Sequence, residues 1–94
     1  MVRRVETTRV FEKDFKREKK GVLGPKLDGL IKDIVDDLAA DLPLAFSKRD
    51  HALHGDWIDH RDCHIRPDLL LIYRKVSDDV LQLVRLGSHS ELGI

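Results

Sequence analysis

From Pro25 onward apolar side chains return every three or four positions, at Leu27, Leu30, Ile31, Ile34, Val35, Leu38 and Leu42. That spacing winds a single apolar stripe around an amphipathic helix, with Pro25 suited to its first turn and Pro43 marking its end. Lys26, Lys32, Asp33, Asp36, Asp37 and Asp41 occupy the opposite face, which should meet water or a partner. Upstream, Thr8 can cap a second helix in which Val10, Phe11 and Phe15 form a narrow apolar stripe among charged residues, and Gly21 and Gly24 stop it. Residues 2–8 are few and rich in β-branched side chains, which favours a strand, and its position suggests a sheet edge.

Residues 43–60 show no regular period and read as the longest loop. Three strand-length segments follow, residues 61–66, 69–76 and 80–86, separated by the turn-forming clusters Pro67-Asp68 and Ser77-Asp78-Asp79. They predict an antiparallel meander. The order is thus β-α-α-β-β-β, an α+β fold with two helices packed on a small, mostly antiparallel sheet, forming a single domain over residues 1–94. So small a sheet leaves one face partly open for a site.

Composition narrows the functional classes. The chain of 94 residues is 41% hydrophobic and 36% charged, enough apolar material for one modest core and too little length for two domains. No apolar run approaches a membrane span, and Met1-Val2-Arg3-Arg4-Val5-Glu6 lacks the apolar stretch of a secretory signal, so the expected compartment is the cytoplasm. Cys63 is the single cysteine, which excludes an internal disulfide and Cys-rich zinc folds. The 17 basic and 17 acidic side chains cancel overall, yet residues 1–26 carry nine Lys/Arg against four Asp/Glu, a local excess of +5 suited to a polyanion.

All five histidines, His51, His54, His60, His64 and His89, lie in the second half, together with Trp57, Arg61, Asp62, Arg66, Asp68 and Arg85. Histidine both takes and gives protons near neutral pH, so this concentration beside arginines points to acid–base chemistry on an anion. Strand alternation over residues 61–66 puts Cys63 and Ile65 on one face and Asp62, His64 and Arg66 on the other, making Cys63 core and presenting His64. Plainer roles compete for each residue: loop histidines are commonly solvated, Asp68 follows Pro67 as a turn residue would, and Trp57 reads first as an anchor beneath its loop and second as a base-stacking platform. The spacings His51-x2-His54 and His60-x3-His64 could chelate zinc only if the two pairs converge, and no metal or other cofactor is expected. Neither a Gly-rich phosphate loop nor a nucleophile elbow nor an HExxH motif occurs.

Three blocks carry a resemblance. Asp50-His51-x-Leu53-x-Gly55-x-Trp57, then Arg61-Asp62-x-His64-Ile65-x-Pro67-Asp68-x4-Tyr73, then Arg85-Leu86-Gly87-Ser88-His89-Ser90-Glu91-Leu92 closely resemble the YafQ branch of the RelE/ParE superfamily of bacterial toxins. The resemblance implies the toxin half of a type II toxin–antitoxin pair, a ribosome-dependent endoribonuclease that cleaves mRNA in the A site without metal, by attack of the ribose 2'-OH on the adjacent phosphate. It implies as partners a cognate antitoxin, the ribosome and mRNA. By likeness to the family's histidine-rich site the catalytic positions are His51, His64, Asp68 and His89, with Arg85 on the phosphate and Arg61 and Asp62 in support; Trp57 is the nearby ring that could stack on a substrate base. Phosphodiester cleavage needs a base, an acid and positive charge at the phosphate oxygens, and this set contains all three.

Two departures and one rival follow from the same comparison. Relatives commonly carry an aromatic residue directly after the leucine of the final block or two positions after it, where this sequence reads Leu92-Gly93-Ile94, and they are usually strongly basic, where this chain is neutral. The rival is a non-enzymatic toxin of the ParE kind, which shares the fold and inhibits DNA gyrase by binding. Such toxins lack the histidine set.

Overall fold

The computed structural model describes residues 2–94. It contains β1 (Arg4–Thr7), α1 (Arg9–Lys19), α2 (Gly24–Ala39), β2 (His51–Ala52), β3 (Arg61–Arg66), β4 (Leu69–Ser77), β5 (Val80–Gly87) and α3 (His89–Leu92), with single 3-10 turns at Phe46–Lys48 and Gly55–Trp57. The strands form one sheet in the order β1-β5-β4-β3-β2. All neighbours are antiparallel except β1, which pairs in parallel with β5, Arg4 standing opposite Val80. The α+β architecture and the β3–β4–β5 meander match the expectation, and β1 is an edge.

Two elements were not anticipated, and the order lengthens to β-α-α-β-β-β-β-α. β2 is two residues long and closes the far edge against β3, and α3 follows β5 directly. The second helix also ends at Ala39, short of Leu42, because Asp41 turns into the left-handed region at φ 57° and leaves Leu42 exposed.

Thr8 caps α1 as expected, its hydroxyl accepting the Phe11 N–H at 2.9 Å. A Cβ at Gly24 would run into the Lys19 carbonyl, so this glycine lets α2 begin close behind α1. One sheet face packs on the helices: Leu27, Ile31, Ile34 and Leu38 of α2 with Phe11 of α1 meet Cys63, Ile65, Leu71, Tyr73, Leu81, Leu83 and Leu86. Cys63 is fully buried there, which pushes its thiol up to about 12 and makes it inert. The opposite face is covered in part by a smaller cluster, Leu70, Ile72 and Leu92 with Leu53, Trp57, Val84 and Ile94. The uncovered remainder of that face holds Asp62 and His64, opposite Ile72 and Leu70.

Candidate active site

The turn between β3 and β4 and the junction of β5 with α3 bring distant residues together. Asp62 stands opposite Ile72 and His64 opposite Leu70, so both side chains rise on the open face, while Cys63 and Ile65 point into the helix-side core as alternation predicts. A register shift between His64 and Arg66 breaks the alternation, and Arg66 pairs with Leu69, whose side chain belongs to the helix-side core.

At the end of β5, Ser88 caps α3 through a capping box. Its hydroxyl accepts the Glu91 N–H at 3.1 Å, and the Glu91 carboxylate accepts the Ser88 N–H at 2.8 Å. The box fixes His89 at the start of α3 facing Asp68, whose Oδ1 accepts the His89 backbone N–H at 3.1 Å and lies 2.7 Å from Nδ1. Hydrogen bonds from the His89 ring and backbone hold the Asp68 carboxyl below its usual range, so it is an ionised acceptor at neutral pH. With Nδ1 thus engaged, Nε2 is the nitrogen His89 presents outward. The His64 ring meets it edge to face, centroids 5.3 Å apart.

Asp62 lies behind this pair with 2% exposure, and its Oδ1 makes no hydrogen bond. His51 Nδ1 is 3.1 Å from that oxygen but only 2.6 Å from the Arg49 carbonyl, to which its single N–H donates. Burial raises the Asp62 carboxyl above its ordinary value, and the nearby His51, His64 and His89 work against that rise. Asp62 is therefore a buried carboxyl set beneath three histidines.

Arg85 is anchored from the other side. Its Nε donates to Asp14 Oδ2 at 2.7 Å, Arg17 Nη1 donates to Asp14 Oδ1 at 2.9 Å, and the Leu86 N–H donates to Asp14 Oδ2 at 3.0 Å. Burial would raise the Asp14 carboxyl, but these donors outweigh it and hold the group below the ordinary carboxylate range. Where β1 has stopped, α1 substitutes for a neighbouring strand: Thr8 Oγ1 donates to the Val84 carbonyl at 2.8 Å, Arg17 Nη2 donates to the Leu86 carbonyl at 2.8 Å, and Asp14 takes the Leu86 N–H. Asp14 was missed at the sequence level. Its signal was there: it sits three residues from Phe11 and one from Phe15, a charge inside an apolar stripe.

The other expected residues divide. Arg61 Nε donates to Asp50 Oδ1 at 3.2 Å, and the Tyr73 hydroxyl donates to the same oxygen, so Arg61 braces the base of the loop before β2. Trp57 is half-buried in the smaller cluster, with its ring edge-on to His60 at 5.3 Å. His54 and His60 do not join His64 and His89, and among the described residues no three His, Cys, Asp or Glu side chains are arranged to hold a metal ion. A groove of about 580 Å³ opens beside His64 and His89, and a second of about 510 Å³ reaches His51.

The family model described as the bacterial toxin of type II toxin–antitoxin system, YafQ, matches residues 3–93. The chain belongs to this family. It is similar to the mRNA interferase toxin YafQ of Escherichia coli K12, 45% identical over 51 residues, which cover 54% of each chain. The chain thus spans about half the length of the curated relatives it matches. Solved structures extend the likeness: YafQ in the E. coli DinJ–YafQ toxin–antitoxin complex is 34% identical over 98% of both chains, with a TM-score of 0.81. A metal-bound toxin from Helicobacter pylori is 43% identical over 98% of this chain and 99% of that one, with a TM-score of 0.79. The YafQ family's fold is therefore this fold.

Proposed function

We propose that this YafQ-family chain is a type II toxin that cleaves mRNA in the ribosomal A site, in the cytoplasm, and is silenced by a cognate antitoxin. The observation that carries the reading is the triad His64, His89 and Asp68: two imidazoles in edge contact on an open face, one of them oriented by a carboxylate. The E. coli relative's name as an mRNA interferase and the DinJ–YafQ complex support the activity and the protein partner respectively.

The geometry supports the following chemistry. His64 removes the proton from the ribose 2'-OH, whose oxygen attacks the adjacent phosphorus in line. The bond from phosphorus to the 5'-oxygen breaks, and His89, held through Nδ1 by Asp68, protonates that oxygen from Nε2. Arg85 and His51 offset the charge that builds on the phosphate oxygens. No step of this scheme is routed through a metal ion.

The decisive experiment adds purified protein to ribosomes translating a defined mRNA and identifies the fragment ends. We expect 2',3'-cyclic phosphate on one fragment and a 5'-hydroxyl on the other, unchanged by a chelator selective for transition metals that leaves ribosomal Mg²⁺ in place. Ends bearing 5'-phosphate, or loss of activity with the chelator, would refute the mechanism, and intact mRNA would refute the activity.

A further inference from the structure

Phe46 is 98% exposed, a rare state for a large apolar ring in a folded domain. Each other aromatic residue has a packing role: Phe11 and Tyr73 are buried in the helix-side core, Phe15 packs against it, and Trp57 belongs to the smaller cluster. Phe46 opens the 3-10 turn Phe46–Lys48, which Arg49 closes in the left-handed conformation at φ 48°, ψ 43°. Sustained left-handed backbone at a non-glycine residue is held by its surroundings and recurs at binding sites.

The turn stands between the two grooves, and Phe46 and Arg49 line both. On one side lie His64, His89 and Arg66, and on the other His51. No acidic side chain lines the larger groove, and among the described residues Lys48, Arg49 and Arg66 make no ion pair. A ring with an open π-face, flanked by unpaired cations and next to the imidazoles, is the chemistry that binds one nucleotide of a single strand: the base stacks and its phosphate is held by the cations.

We propose that Phe46, with Arg49 and Arg66, forms a subsite for the nucleotide that flanks the scissile phosphate. The proposal rests on the endoribonuclease reading above and adds to it a specificity-determining ring contributed by the loop before β2. Protein ligands would also cover an exposed phenyl group. The cations of the larger groove, Lys48, Arg49 and Arg66, favour the RNA strand.

The test compares kcat/KM on programmed ribosomes for the wild type, Phe46→Ala, Phe46→Leu and Phe46→Tyr, and maps which codons are cut. Phe46→Ala should lower kcat/KM by about 5- to 150-fold, the range that removing one base–aromatic stack produces, with the loss mainly in KM and a changed codon spectrum. Phe46→Leu should behave like alanine, since it keeps apolar bulk but has no π-face, and Phe46→Tyr should restore activity. All three should melt within about 2 °C of wild type, because the position is exposed. Arg49→Ala should reduce the salt dependence of KM by about one unit of log–log slope. Wild-type kinetics and codon choice in Phe46→Ala would overturn the subsite while leaving the ribonuclease reading standing, and so would a loss confined to antitoxin inhibition, which would assign the ring to a protein contact. A wild-type protein that cuts no mRNA would overturn the ribonuclease reading itself, and the subsite with it.

Discussion

Asp14→Asn tests the largest buried electrostatic feature of the fold. The carboxylate is 3% exposed and accepts from Arg85, Arg17 and the Leu86 N–H. The amide oxygen of asparagine can keep the Leu86 bond, but its NH₂ then faces a guanidinium, and both ion pairs lose their charge. Removing one partner of a fully buried pair costs about 3–5 kcal/mol. Here the arginine side chains retain 25% and 40% exposure, so part of their hydration returns on release. We therefore expect a loss of about 2–3 kcal/mol, below the buried-pair range, and a fall in melting temperature of roughly 10–20 °C for a domain of this size. Urea unfolding followed by circular dichroism measures it. The pH profile supplies an independent check: the Asp14 carboxyl lies below its ordinary value in the fold, so its contribution is complete above about pH 4 and is lost as pH falls through the folded value. The gap between wild type and Asp14→Asn should close in acid. A variant within about 0.5 kcal/mol of wild type at pH 7 would refute the reasoning, since only surface changes are normally that mild.

Asp68→Asn and His89→Ala should each slow mRNA cleavage by about 100-fold or more, the scale of one proton-transfer group, with melting temperatures near wild type because both residues are exposed. A core-sized loss of stability would count against the catalytic assignment. Asp62→Asn should stabilise the protein at pH 7 while slowing cleavage: the folded state raises this carboxyl, so its ionised form costs stability above the folded value, and the gain should vanish as pH falls towards the unfolded value. Destabilisation at pH 7 would mean that the carboxylate is better satisfied than its unpaired Oδ1 indicates. Gly93→Phe should weaken α3, because Gly93 ends that helix at φ 71°, whereas Ile94→Phe places a ring beside the smaller cluster without backbone strain. Gain of cleavage from Gly93→Phe with unchanged stability would contradict this.

The helices and the meander were legible because their periods are long enough to count. Leu27, Ile31, Ile34, Val35 and Leu38 fall on the buried stripe as their spacing requires, and Cys63 and Ile65 fall in the core as alternation requires. β2 was illegible because two residues cannot display a period, and the flanking 3-10 turns resemble loop sequence. α3 offered a readable sign in Ser88-x-x-Glu91, a capping box, but four residues give no apolar repeat to accompany it. The histidine concentration marked the second half of the chain, yet only the folded structure separates His64 and His89, which meet, from His54 and His60, which do not. Asp14 shows the general difficulty. A charge within an apolar stripe has a partner somewhere, and the partner here lies in β5.

The pairing of β1 with β5 has a consequence for how the protein comes into being. The first strand emerges early in synthesis but has no neighbour until residues 80–83 exist, and α1 and α2 have no sheet to cover until β3, β4 and β5 are made. Contacts so distant along the chain fold slowly, and the apolar stripe of α2 stays exposed meanwhile, a state prone to aggregation and to capture by chaperones. The contact between His89 and Asp68 spans 21 residues and waits on β4 and β5, so this pair is among the later contacts to form.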